Sequence, residues 1–148
     1  MGHLAAGAGA AILALGVHGA VAAPACHGAT LPEPVPPDLA RAVIETFHVA
    51  TTPVEVEHTG FVRCDHGVAL ACLTGANLNC GKGNASQGNM GAEWWCQKHP
   101  DASFVPLFAA GHDSIYAWRC HGTRAVIERQ VQRLDAQGYV TENWREIR

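Results

Sequence analysis

Nine histidines and six cysteines give this 148-residue chain a large stock of side chains that ligate metals, move protons or form disulfides. Two runs bring them close together, Cys64-Asp65-His66 and Cys120-His121. A third, His112-Asp113-Ser114, holds the residue types of a hydrolytic triad. The spacing argues against each of them as a site. Structural zinc sites use Cys-x₂₋₄-Cys or His-x₃₋₅-His pairs. Here neighbouring cysteines are separated by 37, 7, 7, 15 and 23 residues, and no histidine pair has the required gap. Three adjacent residues on a turn rarely converge as nucleophile, base and orienting group, and none of Ser86, Ser103 or Ser114 stands in Gly-x-Ser-x-Gly. Glu55, Glu57 and Glu93 could supply paired carboxylates, but Glu55 and Glu57 would share a strand face for which exposed alternation is the simpler account. A small metal-dependent or hydrolytic enzyme using His66, His112 and His121 is the contrasting hypothesis. No cofactor is called for.

The cysteines read more simply as disulfides. From Leu4 to Ala25 there is no Asp, Glu, Lys or Arg, and the run around Ile12, Leu13 and Leu15 has the character of a signal-peptide core. Ala20-Val21-Ala22 predicts a signal peptide over 1–22 with cleavage before Ala23, and Ala23-Pro24-Ala25 offers a second choice before Cys26. In an exported chain Cys26, Cys64, Cys72, Cys80, Cys96 and Cys120 then form three bridges, with 15 possible pairings left open. The expected location is periplasmic or secreted, with no membrane association after cleavage. A net charge of −3 and only two lysines, Lys82 and Lys98, exclude a phosphate-driven nucleic-acid module and a polybasic membrane patch.

The elements that must position these residues are short. Residues 23–37 read as a Pro-rich tether, since four prolines within 31–37 forbid helix or central strand. A single globular domain over 38–148 follows. Asp38 offers an N-cap to an amphipathic helix over 38–48 carrying Leu39, Val43 and Phe47, which Thr51-Thr52-Pro53 ends. Phe61 to Cys72 predicts a β-hairpin turning at Asp65-His66-Gly67, with Val62, Cys64, Val68, Leu70 and Cys72 on one face. Residues 73–92 form a long Gly- and Asn-rich loop pinned at Cys80, before a helical turn around 92–99 that Pro100 stops. The loop's Cys80-Gly81-Lys82-Gly83 fails the phosphate-loop pattern, because Ala76 replaces its first glycine and Gly83 its Ser or Thr. Phe104–Phe108 and Ser114–Cys120 flank Gly111-His112-Asp113 as a second hairpin. Residues 124–134 fit either a helix or a strand leading into the turn Asp135-Ala136-Gln137-Gly138. The fold class is therefore α+β: a small disulfide-stabilised domain with two β-hairpins and one or two short helices.

One string runs through most of this region: Cys64-x-x-Gly67, Cys72, Gly75-Ala76-Asn77-Leu78-x-Cys80-Gly81-Lys82, Cys96, Phe104-Val105-Pro106, Gly111-His112-Asp113-x-Ile115-Tyr116-x-Trp118-Arg119-Cys120, and Asp135-x-x-Gly138 with Trp144. It resembles a group of small exported bacterial cysteine-containing proteins of unknown function. The resemblance implies a bacterial secreted or periplasmic protein and brings no activity, cofactor or functional residue. Cys26 lies outside the shared pattern, which leaves its partner open.

What remains is surface recognition. Trp94, Trp95, Tyr116 and Trp118 supply aromatic area, and Asn77, Lys82, His112, Asp113 and Arg119 supply polar groups on or beside loops. That mixture suits a protein, peptide or glycan, while core filling is the plainer role for the tryptophans. The long loop fits a presented binding element. The expected function is an exported non-catalytic binding or structural module.

Overall fold

The computed structural model describes residues 26–28, 30–75 and 78–148; the expected signal peptide and its cleavage sites lie outside them. Among the described residues the chain is α+β, with four short α-helices, a four-stranded antiparallel sheet and a separate two-stranded hairpin. Its six cysteines pair in sequence order, Cys26–Cys64, Cys72–Cys80 and Cys96–Cys120. Cys26 therefore pairs within the chain.

Within the proline-rich segment Glu33–Pro34 is extended, as the composition requires, and is packed rather than free. Glu33–Pro34 (β1) pairs with Val62 and Phe61 at a sheet edge, where proline's missing N–H does no harm. Val35 behind it is buried. Helix α1 spans Ala40–Phe47 and starts after Leu39, so Asp38 does not cap it. The second helix, α2 (Pro53–Thr59), was not anticipated, and it removes the strand face on which Glu55 and Glu57 were to meet. Its start is written locally: Thr52 Oγ1 accepts the Glu55 N–H at 3.2 Å, and Pro53 occupies the first turn.

The first hairpin forms as expected from β2 (Gly60–Asp65) and β3 (Val68–Leu73). His66 and Gly67 make the turn, both at positive φ (49° and 87°), which glycine accepts without strain. The expected face assignment is corrected. Because the turn has two residues, Val62 pairs with Ala71 and Cys64 with Ala69. Even-numbered residues of β2 thus share a face with odd-numbered residues of β3, and Cys64 and Cys72 lie on opposite faces. One face, with Ala69, Ala71 and Ile147, packs under α1 and α2. The other buries Cys72 and Cys80 against Tyr139 and Trp144. Strand β6 (Arg145–Glu146) closes the sheet beside β3.

The second hairpin is not the expected one. Pro106 precedes a four-residue helix, α4 (Leu107–Ala110), where a strand was anticipated. Ser114–Cys120 instead leads into β4 (Tyr116–His121), which pairs with β5 (Arg124–Gln130) across Gly122-Thr123. The ambiguous segment is therefore a strand. Helix α3 (Met90–Lys98), capped by Asn89 Oδ1 on Ala92 N at 2.9 Å, packs on this hairpin and is tied to β4 by Cys96–Cys120. Among the described residues no helix is long and apolar enough to cross a membrane.

Candidate functional site

The described residues of the segment between β3 and α3 form neither helix nor strand, yet they are held at several points. Cys80 is bonded to Cys72, and Thr74 N donates to Thr59 O at 2.9 Å. Asn79 folds the chain over itself: its Oδ1 accepts the Gly81 N–H at 2.8 Å, its Nδ2 donates to Lys82 O at 3.2 Å, and Asn143 Nδ2 donates to Asn79 O at 2.9 Å. Beyond it Gly83 N donates to Gly138 O (2.9 Å), Asn84 N to Asp113 O (2.7 Å), and Ile115 N to Asn84 O (3.1 Å). A Cβ on Gly83 would stand 2.5 Å from Leu134 Cδ2 and 3.0 Å from Ile115 and Val140, so any larger residue there would have to displace these side chains. Asymmetric local chemistry of this kind turns a long loop into a fixed surface.

That surface brings together Lys82, His112 and Asp113. They line an open depression of about 540 Å³ with Gly75, Leu78, Asn79 and Gly81. His112 and Lys82 are exposed and Asp113 is half-buried. A second groove of about 540 Å³ shares Leu78, Asn79, Gly81 and Lys82 with the first and is lined in addition by Leu31, Pro32, Phe61 and Tyr139. Asn77 lies outside the described residues.

The remaining expected contacts are elsewhere. Trp118 is 3% exposed and packs between α3 and the second hairpin, its Nε1 donating to Ser114 Oγ at 3.0 Å. It takes the core role. Tyr116 is half-buried edge-on to Trp118, with ring centres 6.2 Å apart, and Arg119 is exposed on the opposite face of β4. Ser114, buried and bonded to Trp118, is committed to packing rather than to His112. His66, His112 and His121 sit at three separate places: the first hairpin's turn, the turn before β4, and the end of β4. Among the described residues no three His, Cys, Asp or Glu side chains gather where they could hold a metal ion. Glu93 accepts the Ala125 N–H at 3.2 Å, bridging α3 to β5.

Beneath the site lies a buried charge that composition alone does not reveal. Arg63, on the Phe61 face of β2, is 3% exposed, with its guanidinium 4.5 Å from the Tyr139 ring centre and 4.7 Å from that of Trp144. It pairs with Asp135 and donates to Gln137 Oε1 at 3.2 Å, while Gln137 Nε2 donates to Asp65 Oδ1 at 2.7 Å. Burial pushes the Asp135 carboxyl up, but the Tyr139 and Gln137 backbone N–H groups and the Arg63 guanidinium outweigh it and hold the carboxyl below its usual range. This network fixes the 135–139 turn, and with it the Tyr139 ring that lines the second groove. The sequence signal was a lone arginine within the apolar run of β2.

Comparison with protein-family models, with curated proteins and with solved structures finds no match to this chain.

Proposed function

We propose that this chain is an exported, non-catalytic binding module of the bacterial periplasm or exterior, and that its contact surface is the one built around residues 78–84 with His112 and Asp113. One observation carries the reading: a long, mostly polar loop is held by a disulfide, by backbone bonds at Gly83 and Asn84, and by Asn79 and Asn143. A recognition element fixed before its ligand arrives avoids the ordering cost of binding. Three disulfides fit an oxidising compartment, where a loop of this kind keeps its shape.

The test has two parts. Intact mass of the chain secreted from a bacterial host is expected to correspond to loss of residues 1–22, with six hydrogens fewer than the fully reduced form and alkylation only after reduction. The oxidised protein is then screened on a glycan array and a displayed random-peptide library. A ligand is expected that binds wild type, loses about tenfold in affinity in His112→Ala/Asp113→Ala, and is indifferent to EDTA. A chain retained in the cytoplasm with free thiols, or a hydrolytic activity abolished by EDTA or by substitution of His66, His112 or His121, overturns the reading.

A further inference from the structure

The second groove has a composition that its neighbour lacks. Leu31 and Leu78 stand at its walls, 73% and 46% exposed, half-buried Phe61 adds aromatic surface, and Tyr139, 3% exposed, also lines it. Among the described residues Lys82 is the only charged side chain that lines it. Its Nζ is 5.9 Å from the centre of the Tyr139 ring, and it makes no ion pair among the described residues. Both walls are anchored before any ligand is present. On one side Thr30 N donates to Cys64 O at 3.0 Å, Thr30 Oγ1 accepts the Cys64 N–H at 2.8 Å, Cys26 is bonded to Cys64, and β1 pairs with β2. On the other, Cys80 is bonded to Cys72.

We propose that this groove binds a small apolar carboxylate, a medium-chain fatty acid anion, with its carboxylate on Lys82 and its hydrocarbon between Leu31, Leu78 and Phe61. This rests on the reading of the 78–84 loop as a binding element and names a ligand class for it. Charge complementarity selects the head group. One ammonium with no ion-pair partner beside apolar walls matches one anion on an apolar tail, which gains a charge-assisted contact that a neutral or cationic amphiphile does not. A volume of about 540 Å³ lies within the usual range for small-molecule sites. The exposed leucines are the apolar area that such a tail would remove from water.

The test is a titration of the full oxidised chain, followed by calorimetry and backbone amide shifts, with decanoate, decanol and a short peptide ending in Leu-Leu with a free carboxylate, all below micelle-forming concentrations. Decanoate is expected to saturate one site and to shift the amides of Leu78, Lys82 and Tyr139. Lys82→Met is expected to weaken it about tenfold while Lys82→Arg retains it, and decanol is expected to bind about tenfold less tightly than decanoate. Leu78→Glu, which places a like charge on the wall, is expected to abolish binding. Equal affinity for decanol, indifference to Lys82→Met, tighter binding of the peptide, or no saturation by decanoate would each overturn the proposal. The broader reading is judged separately, by the ligand that His112→Ala/Asp113→Ala loses. A fatty-acid site can therefore fail while the binding module stands.

Discussion

Arg63 shows what a single residue decides. A charge taken out of water is tolerated only where its surroundings answer it, and Asp135, Gln137 and two aromatic rings do so. Removing one partner of such a pair strands the other, whereas replacing both with apolar or neutral groups need not. Asp135→Ala is therefore expected to destabilise the protein by about 3 kcal/mol at neutral pH, and Arg63→Met/Asp135→Asn by clearly less, read from urea unfolding. The sign of the pH dependence follows from the depressed Asp135 pKa. The stabilisation is present above the unfolded value of 3.8 and is lost as pH falls through the lower folded value. The stability gap between wild type and Asp135→Asn should accordingly narrow in acid; a gap that stays constant from neutral pH down would contradict the assignment.

At the scale of elements, legibility depended on how local the deciding interaction is. The turn at His66-Gly67 involves adjacent residues, and the first hairpin was accordingly readable; a helical turn was expected around 92–99, and α3 starts earlier, at Met90, behind a local cap at Asn89. Helix α2 was equally local, through Thr52 and Glu55, and the capping signal before it could have been found. The second hairpin was different. Ile127, Val131 and Leu134 have helical spacing, and what makes Arg124–Gln130 a strand is the partner β4 and the α3 face covering it. The disulfides tie these elements together, and loop length orders their contributions. With separations of 38, 24 and 8 residues, chain entropy alone gives about 4, 3.5 and 2.5 kcal/mol for Cys26–Cys64, Cys96–Cys120 and Cys72–Cys80. Paired Cys→Ala variants are expected to lose stability in that order; the shortest loop proving the costliest would point to strain or packing instead.

For the whole molecule, residues 82–84 are the splice between two halves. Lys82 pairs with Tyr139 on the side of the four-stranded sheet, and Asn84 with Ser114 at the start of the second hairpin, while Gly83 lies against Ile115, Leu134 and Val140. The same few residues thus join the halves and present the candidate site. Gly83→Val is expected to destabilise by about 1–3 kcal/mol and to raise hydrogen exchange at Asn84 and Ile115 ahead of the β2–β3 amides. Uniform loss of protection across both halves would show that the splice does not separate them.

Composition, the even cysteine count and local turn chemistry were sufficient by themselves to specify a small α+β domain stapled by three disulfides, and to mark 73–92 as its long loop. These features depend on residue type and near neighbours, which a sequence states directly. Tertiary structure alone chose one disulfide pairing of the fifteen, put Cys64 and Cys72 on opposite sheet faces, buried Arg63 and Trp118, and brought Lys82 beside His112 and Asp113. Each of those outcomes depends on which distant segments share a face. A one-residue change of register reverses that choice without altering any local preference.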